Sequence, residues 1–329
     1  MTAPLRGPGL DKLRGLARVV YEPWIDQQPL KIYDGPGLAK RLMAEEADIV
    51  VVEADLVDRT VFELPLVAVA ATRGDPNNVD VSAATAAGVP VLRTPGRNAD
   101  AVAELAIGLL IDVARRVVAA DRDVRGMEIF RDGTIPYQRF RGWEITGRQA
   151  LIVGYGAVGR ALEWRLRALR MAVATYDPYV DGAGKDLEDA VRQADVVSLH
   201  ASLTPETVGL FAEEQFSWMR PGAVFLNTAR AQLHDMGALV DALESGRLGG
   251  AGLDHFDGET LPASHPLLTM DNVVLTPHIG GATTDTEARG AQMVADDVER
   301  LLAGEMPVNV VNPEVVGGRP WAARWDDQG

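Results

Sequence analysis

The stretch "LIVGYGAVGR", Leu151–Arg160, sets glycines at 154, 156 and 159 between an apolar run and a segment of helical spacing. Residues of that type at that spacing could cradle a phosphate. Gly154 permits a tight turn, Gly156 lets the backbone approach a pyrophosphate, and Gly159 lets the following helix lie close to the strand. The amides that open the helix, with its dipole, favour negative charge at the same point. The chemistry served would be that of a dinucleotide, provided an acidic residue stands about 20 positions further on to accept the ribose hydroxyls. Asp177 stands there. Its carboxylate would also repel a 2′-phosphate, so NAD is expected over NADP. In a chain with 33 glycines the spacing alone could be a chance turn in some other α/β fold, so the flanking elements must decide.

Those elements are present. "QALIVG" reads as a β-branched strand, "AVGRALEWRLRALR" carries helical spacing at Val158, Leu162, Leu166 and Leu169, and "MAVATYDP" ends a second strand at Asp177. Further short strands are expected at 195–199, 223–227, 250–254 and 272–276, giving six strands of a doubly wound parallel sheet. Ahead of the glycines, "ARVVYEP", "DIVVVEA" and "LVAVAA" read as buried strands, with helical patterns at 37–46 and 79–87. They imply a second α/β unit. "GRNADAVAELAIGLLIDVARRVVAADRDV" is expected as one long amphipathic helix bridging the two units. "GMEIFRDGTIPYQRFRGWEITG" has no clear period and is either an arm crossing to another subunit or a long surface loop. A last helix is expected near 284–303, and the tail with Trp321 and Trp325 carries no legible motif.

Composition narrows the class of partner. At 329 residues and 47% hydrophobic content the chain can bury the cores of two domains. The net charge of −15 speaks against nucleic acid and anionic membrane surfaces and leaves a small molecule as the expected partner. The absence of cysteine excludes disulfides, thiolate metal sites and thiol nucleophiles. Five histidines without ligand spacing predict no metal site. No run approaches the length of a membrane span, and the first residues lack the apolar stretch of a signal peptide, so a cytoplasmic location is expected.

Over nearly its whole length the chain resembles the D-isomer-specific 2-hydroxyacid dehydrogenase family. The resemblance is carried, in the family's order, by "NVDVSAATAAGVPVLRTPGRNADAVAE", the glycine stretch, "VVSLHASLTPET", "FLNTARA", "GLDHFDGETLP" and "NVVLTPHIGGAT". It implies a Rossmann NAD domain, 101–284, inserted into a flavodoxin-like substrate domain, 1–100 and 285–329, each a doubly wound parallel sheet, and a homodimer. It places a catalytic trio on Arg230, Glu259 and His278. It assigns the cofactor to Gly154, Tyr155, Gly156, Ala157, Val158, Gly159, Asp177, His200, Thr207, Thr228, Ala229, Asp254 and Gly280. The substrate falls to Arg73, Gly74, Asp75, Asn78 and Arg97.

The residue types of the trio suit the reduction of a 2-oxo acid. Arginine grips a carboxylate bidentately, histidine gives and takes a proton near neutrality, and a neighbouring carboxylate orients the imidazole and favours its charged form. The same fold also serves NAD(H)-sensing corepressors that can retain the trio, which is the alternative reading. Formate dehydrogenase is a further one, against which Glu259 speaks.

Departures from the family pattern bear on the substrate. Its glycine-rich substrate loop reads "RGDPNNVD" here, shorter by two residues, with Asp75, Pro76 and Asn77 where glycines are usual. Ala231 replaces a glycine, and His255 replaces a small apolar residue. Arg97 stands where a small residue is common. An arginine offered there would suit a second anion or several hydroxyls, and so a sugar-derived or phosphorylated acid.

Overall fold

In the computed structural model, residues 1–318 are described, and Trp321 and Trp325 lie outside them. The described residues divide into two units, 1–97 with 283–318, and Asn98–Ala282.

The first unit is built on three short parallel strands in the order β1 (Ile49–Val52), β2 (Ala68–Ala71) and β3 (Val91–Leu92). They are apolar throughout because both faces are covered. Val50, Val52, Val69 and Ala71 pack on one side with Leu38 and Leu42 of helix Gly35–Ala44. Val51, Ala70 and Leu92 point the other way, onto Leu10 and Leu13 of helix Gly7–Leu16 and Ala291, Val294 and Val298 of helix Thr284–Leu302. The two helices approach so closely that a Cβ on Gly9 would lie 2.3 Å from the Ala291 carbonyl carbon.

One strand expectation fails here. "ARVVYEP" does not join the sheet; its backbone serves the chain start, with the Met1 ammonium donating to the Val20 carbonyl at 2.8 Å and the Glu22 amide donating to Met1 at 3.0 Å. The third strand is instead Val91–Leu92, too short to show a pattern.

The second unit has six parallel strands, at the positions expected: β4 (Gln149–Val153), β5 (Ala172–Tyr176), β6 (Val196–Leu199), β7 (Ala223–Asn227), β8 (Leu248–Leu253) and β9 (Val273–Leu275). Their order is β5-β4-β6-β7-β8-β9, so the direction of winding reverses between β4 and β6. Open α/β sheets bind ligands beyond the carboxyl ends of the strands at such a reversal. One face buries a phenylalanine cluster, Phe211, Phe216 and Phe225, with ring centroids 5.1–5.9 Å apart. On the other, Leu109 and Val113 of helix Ala99–Arg115 press so tightly on β8 that a Cβ on Gly250 would lie 2.6 Å from Val113 Cγ1. Removing one buried phenylalanine side chain costs about 3–5 kcal/mol, so this core holds the strand ends firmly.

The long helix expected from Asn98 is broken in two, Ala99–Arg115 and Val117–Arg125. Arg116 between them is left-handed, with φ 55°. Two hydrogen bonds stabilise the break: Asp112 Oδ1 accepts the Val118 amide at 2.9 Å, and the Trp143 amide donates to the Ala114 carbonyl at 3.1 Å. Neither glycine nor proline marks the position. Among the described residues no helix is long and apolar enough to cross a membrane.

Candidate active site

Every candidate residue of the second unit except Thr207 lies in a segment that opens at, or just beyond, the carboxyl end of a strand. The glycine turn follows β4, Asp177 follows β5, His200 follows β6, Arg230 follows β7, Glu259 lies in the turn after β8, and His278 follows β9. Thr207 lies further along the loop after β6, where its hydroxyl donates to the Ser202 carbonyl at 2.7 Å.

The three glycines of the turn differ in what surrounds them. Gly154 has φ 95°, and a Cβ there would lie 2.4 Å from the Ala201 amide nitrogen. A Cβ on Gly159 would lie 2.4 Å from the Gly154 carbonyl oxygen. Gly156 differs: its φ is −81°, ordinary for any residue, and a Cβ would meet nothing within 4 Å. The protein itself gives no reason for glycine at 156, whereas a phosphate laid on the start of helix Ala157–Ala168 does. Two buried polar atoms close by in the same sheet edge, His200 Nδ1 and Thr228 Oγ1, also lack partners within the protein. These residues fit a dinucleotide. Asp177 is partly engaged already, its two oxygens accepting the Tyr155 and Tyr179 amides at 2.9 Å each. A carboxylate has about four acceptor positions, so acceptors remain for ribose hydroxyls.

At the other end of the sheet, His278 Nδ1 lies 2.8 Å from Glu259 Oε1. A carboxylate only accepts, so Nδ1 carries the hydrogen and Nε2 is the nitrogen left to exchange a proton with a ligand. Both residues are left-handed, with φ 57° at Glu259 and 55° at His278. Such backbone costs about 1–2 kcal/mol per residue and persists where the surroundings over-determine it. The surroundings of His278 come from Asp254, which is fully buried. Its carbonyl accepts the His278 amide at 2.9 Å, and its carboxylate accepts the Ile279 and Gly280 amides at 2.9 and 2.8 Å and the Thr276 hydroxyl at 2.6 Å. The residue anticipated at the cofactor thus also shapes the histidine loop.

Asn227 does the same for Arg230, and nothing in its sequence position marks it. Its Oδ1 accepts the Ala229 amide at 3.0 Å and its Nδ2 donates to the Arg230 carbonyl at 2.8 Å. Nδ2 also lies 2.9 Å from Nδ1 of buried His234, whose protonation burial holds down to about 4, so that ring is neutral and accepts. Arg230 itself is exposed, with Nη1 donating to the Ala229 carbonyl at 2.6 Å.

His255 lies beside His278 and Glu259. Its ring packs on that of His278, centroids 3.9 Å apart and tilted by 53°. Burial lowers its protonation to about 4 and keeps the ring neutral. His255, Glu259 and His278 also bring three potential metal-ligating atoms within 4.8 Å of one another, a proximity that their sequence spacing does not reveal. Of the remaining histidines, His200 is neutral through burial, at about 4, and lies 2.7 Å from Ser198 Oγ, while His265 accepts the Leu267 amide at 3.3 Å.

In the first unit, Asn78 donates to the Asp55 carbonyl at 2.8 Å, and Gly74 and Asp75 are exposed. Arg73 donates through Nε to the Glu53 carbonyl at 2.6 Å and through Nη1 to Asn77 Oδ1 at 3.0 Å. Arg97 departs from expectation: its charge is not held ready for an anion but is ion-paired with Glu53, and both side chains are largely buried. Glu53 carried no sequence signal, since an acid closing a strand is ordinary.

Comparison with known proteins agrees with this geometry. The family model of the D-isomer specific 2-hydroxyacid dehydrogenase NAD binding domain matches residues 107–280. The chain is 39% identical over 278 residues to a glyoxylate reductase of Korarchaeum cryptofilum, covering 81% of this chain and 82% of that one. It is 38% identical over 307 residues to a D-3-phosphoglycerate dehydrogenase of Mycobacterium bovis, covering 89% of this chain but only 56% of that longer one. Among solved structures, the TT0316 protein of Thermus thermophilus superposes with a TM-score of 0.79 at 35% identity, covering 94% of this chain and 98% of that one. The chain belongs to the D-isomer-specific 2-hydroxyacid dehydrogenase family, whose enzymes use a nicotinamide dinucleotide.

Proposed function

We propose that this protein interconverts a 2-oxo acid and a D-2-hydroxy acid with NAD, and that Arg230, Glu259 and His278 carry the reaction. The observation that supports this most is the His278–Glu259 hydrogen bond between two left-handed residues, on adjacent strand ends. The bound nicotinamide would supply or accept the hydride. Arg230 would hold the substrate carboxylate through its planar fork of N–H donors. His278 would give a proton from Nε2 to the carbonyl oxygen during reduction, and take it back from the hydroxyl during oxidation. Glu259 would orient the ring by accepting the hydrogen of Nδ1. His255, kept neutral by burial, adds a wall to the site without a second positive charge beside His278. Gly154 through Gly159 would seat the pyrophosphate, with Asp177 on the ribose favouring NAD over NADP. The unit of Met1–Arg97 is read as the substrate domain and Asn98–Ala282 as the cofactor domain.

The shortened loop at 73–80 and the polar cluster around Arg97 support a substrate larger than glyoxylate, a sugar-derived 2-oxo acid with polar groups beyond C2. The working form is read as a homodimer joined through the exposed apolar arm after Val117. A panel of 2-oxo acids, each offered with NADH and with NADPH, tests the reaction. NADH consumption yielding the D-2-hydroxy acid on chiral chromatography is expected. An L product, or equal use of the two cofactors, would overturn the respective assignment.

A further inference from the structure

We propose that Glu53, through its pairing with Arg97, makes this protein select a 2-oxo acid bearing neutral hydroxyl groups and reject one bearing a second anion such as a phosphate. This rests on the reading of the chain as a 2-oxo acid reductase, and it names the substrate class within that reading.

Glu53 is the first residue beyond β1, Arg73 the second beyond β2, and Arg97 the fifth beyond β3. All three belong to the carboxyl edge of the sheet in the first unit, which is where open parallel sheets hold their ligands. There they form one connected cluster. Arg97 Nη2 is ion-paired with Glu53 Oε1, and the two side chains are only 13% and 15% exposed. Trp24 Nε1 donates to the other carboxylate oxygen at 3.2 Å, and Arg73 Nε donates to the Glu53 carbonyl at 2.6 Å. Helix Thr284–Leu302 leaves room for the arginine at Gly290, where a Cβ would lie 3.1 Å from Arg97 Cδ. Arg289 on that helix fixes the Arg97 backbone, donating from Nε to its carbonyl at 2.7 Å.

An arginine fixed in this way is not a free cation. A phosphate approaching Arg97 would meet the carboxylate of Glu53 at similar range, and at such separations the repulsion is of the same order as the attraction. A hydroxyl faces no such conflict, because it donates and accepts at once. A guanidinium has five N–H donors and a carboxylate about four acceptor positions, so a pair of this kind keeps both kinds of partner to offer after its own bond is made. A sugar hydroxyl could accept from Arg97 and donate to Glu53, whereas an analogue lacking it would leave the pair unsolvated once bound, a penalty that discriminates strongly.

The test is kcat/KM with NADH for glyoxylate, 2-oxo-3,4-dihydroxybutanoate and the 4-phosphate of the latter, in the parent, Glu53→Gln and Glu53→Asp. The parent is expected to favour the dihydroxy acid over its phosphate, and over glyoxylate, by about tenfold or more. Glu53→Gln should shrink the discrimination against phosphate severalfold by removing the repelling charge. Glu53→Asp, which keeps the charge on a shorter stem, should retain that discrimination while raising KM for the dihydroxy acid. Preference of the parent for the phosphate or for glyoxylate, or a hydroxyl-to-phosphate ratio unchanged in Glu53→Gln, would overturn the proposal. Failure to reduce any 2-oxo acid, glyoxylate included, would instead overturn the reductase reading, and the proposal with it.

Discussion

Gly156 is where the residue scale speaks most clearly for a ligand. Its backbone is ordinary and the space beside it is open, so a methyl group there should change folding stability by less than about 1 kcal/mol. The same methyl group would stand where the pyrophosphate approaches the backbone. Gly156→Ala is therefore expected to weaken NADH binding by about tenfold or more in a fluorescence titration, with an unfolding midpoint close to that of the parent. Undiminished affinity would detach the glycine turn from the cofactor. That the three glycines, Asp177, Arg230, Glu259 and His278 follow strand ends can be anticipated from the sequence, because each sits in a short contiguous motif beside an apolar run. Asn227, Glu53 and the loop-holding role of Asp254 cannot be, because they act through partners at other strand ends or in backbone groups that leave no trace in residue identity.

At the scale of elements, the six strands of the second unit could be read directly, since a strand buried on both faces is a continuous apolar run between turn residues. The same rule misassigned "ARVVYEP", whose apolar residues pack with the chain start instead of joining the sheet. The helix after Asn98 is continuous in its sequence pattern because its interruption rests on the Asp112 side chain and the Trp143 amide, and only the folded chain brings Trp143 there. The sequence of the arm at 126–147 fits two readings, a subunit-crossing arm and a surface loop. Arg139 pins it, donating to Asp123 Oδ2 at 2.7 Å, to Thr134 Oγ1 at 2.6 Å and to the Ile129 carbonyl at 2.8 Å. A segment held this firmly nonetheless presents Met127, Phe130 and Tyr137 at 90, 76 and 80% exposure. Ordered apolar surface of that kind is what the proposed homodimer would cover. Light scattering at micromolar concentration should give the mass of two chains, and the double variant Phe130→Asp with Tyr137→Asp the mass of one. A parent of single-chain mass would refute the dimer.

At the scale of the whole molecule, three buried histidines set how stability depends on pH. His200, His234 and His255 are each lowered by burial from the ordinary 6.5 to about 4. Between those values the unfolded chain binds more protons than the folded one, so stability is full above about pH 6.5 and falls as pH drops toward 4. Each histidine contributes on the order of 1 kcal/mol per pH unit within that window. Urea unfolding at intervals from pH 7 to 4.5 should show the decline beginning near 6.5, above the range in which carboxylates titrate; a flat profile down to pH 5 would mean that these rings are not neutral in the folded protein. In the proposed mechanism His278, oriented by Glu259, moves the proton, while the glycine turn after β4 seats the pyrophosphate of the cofactor. The most direct measurement is kcat/KM of His278→Ala on the best 2-oxo acid, beside its affinity for NADH. A fall of about a hundredfold or more with NADH binding nearly unchanged is the predicted result, and a rate close to that of the parent would contradict the account.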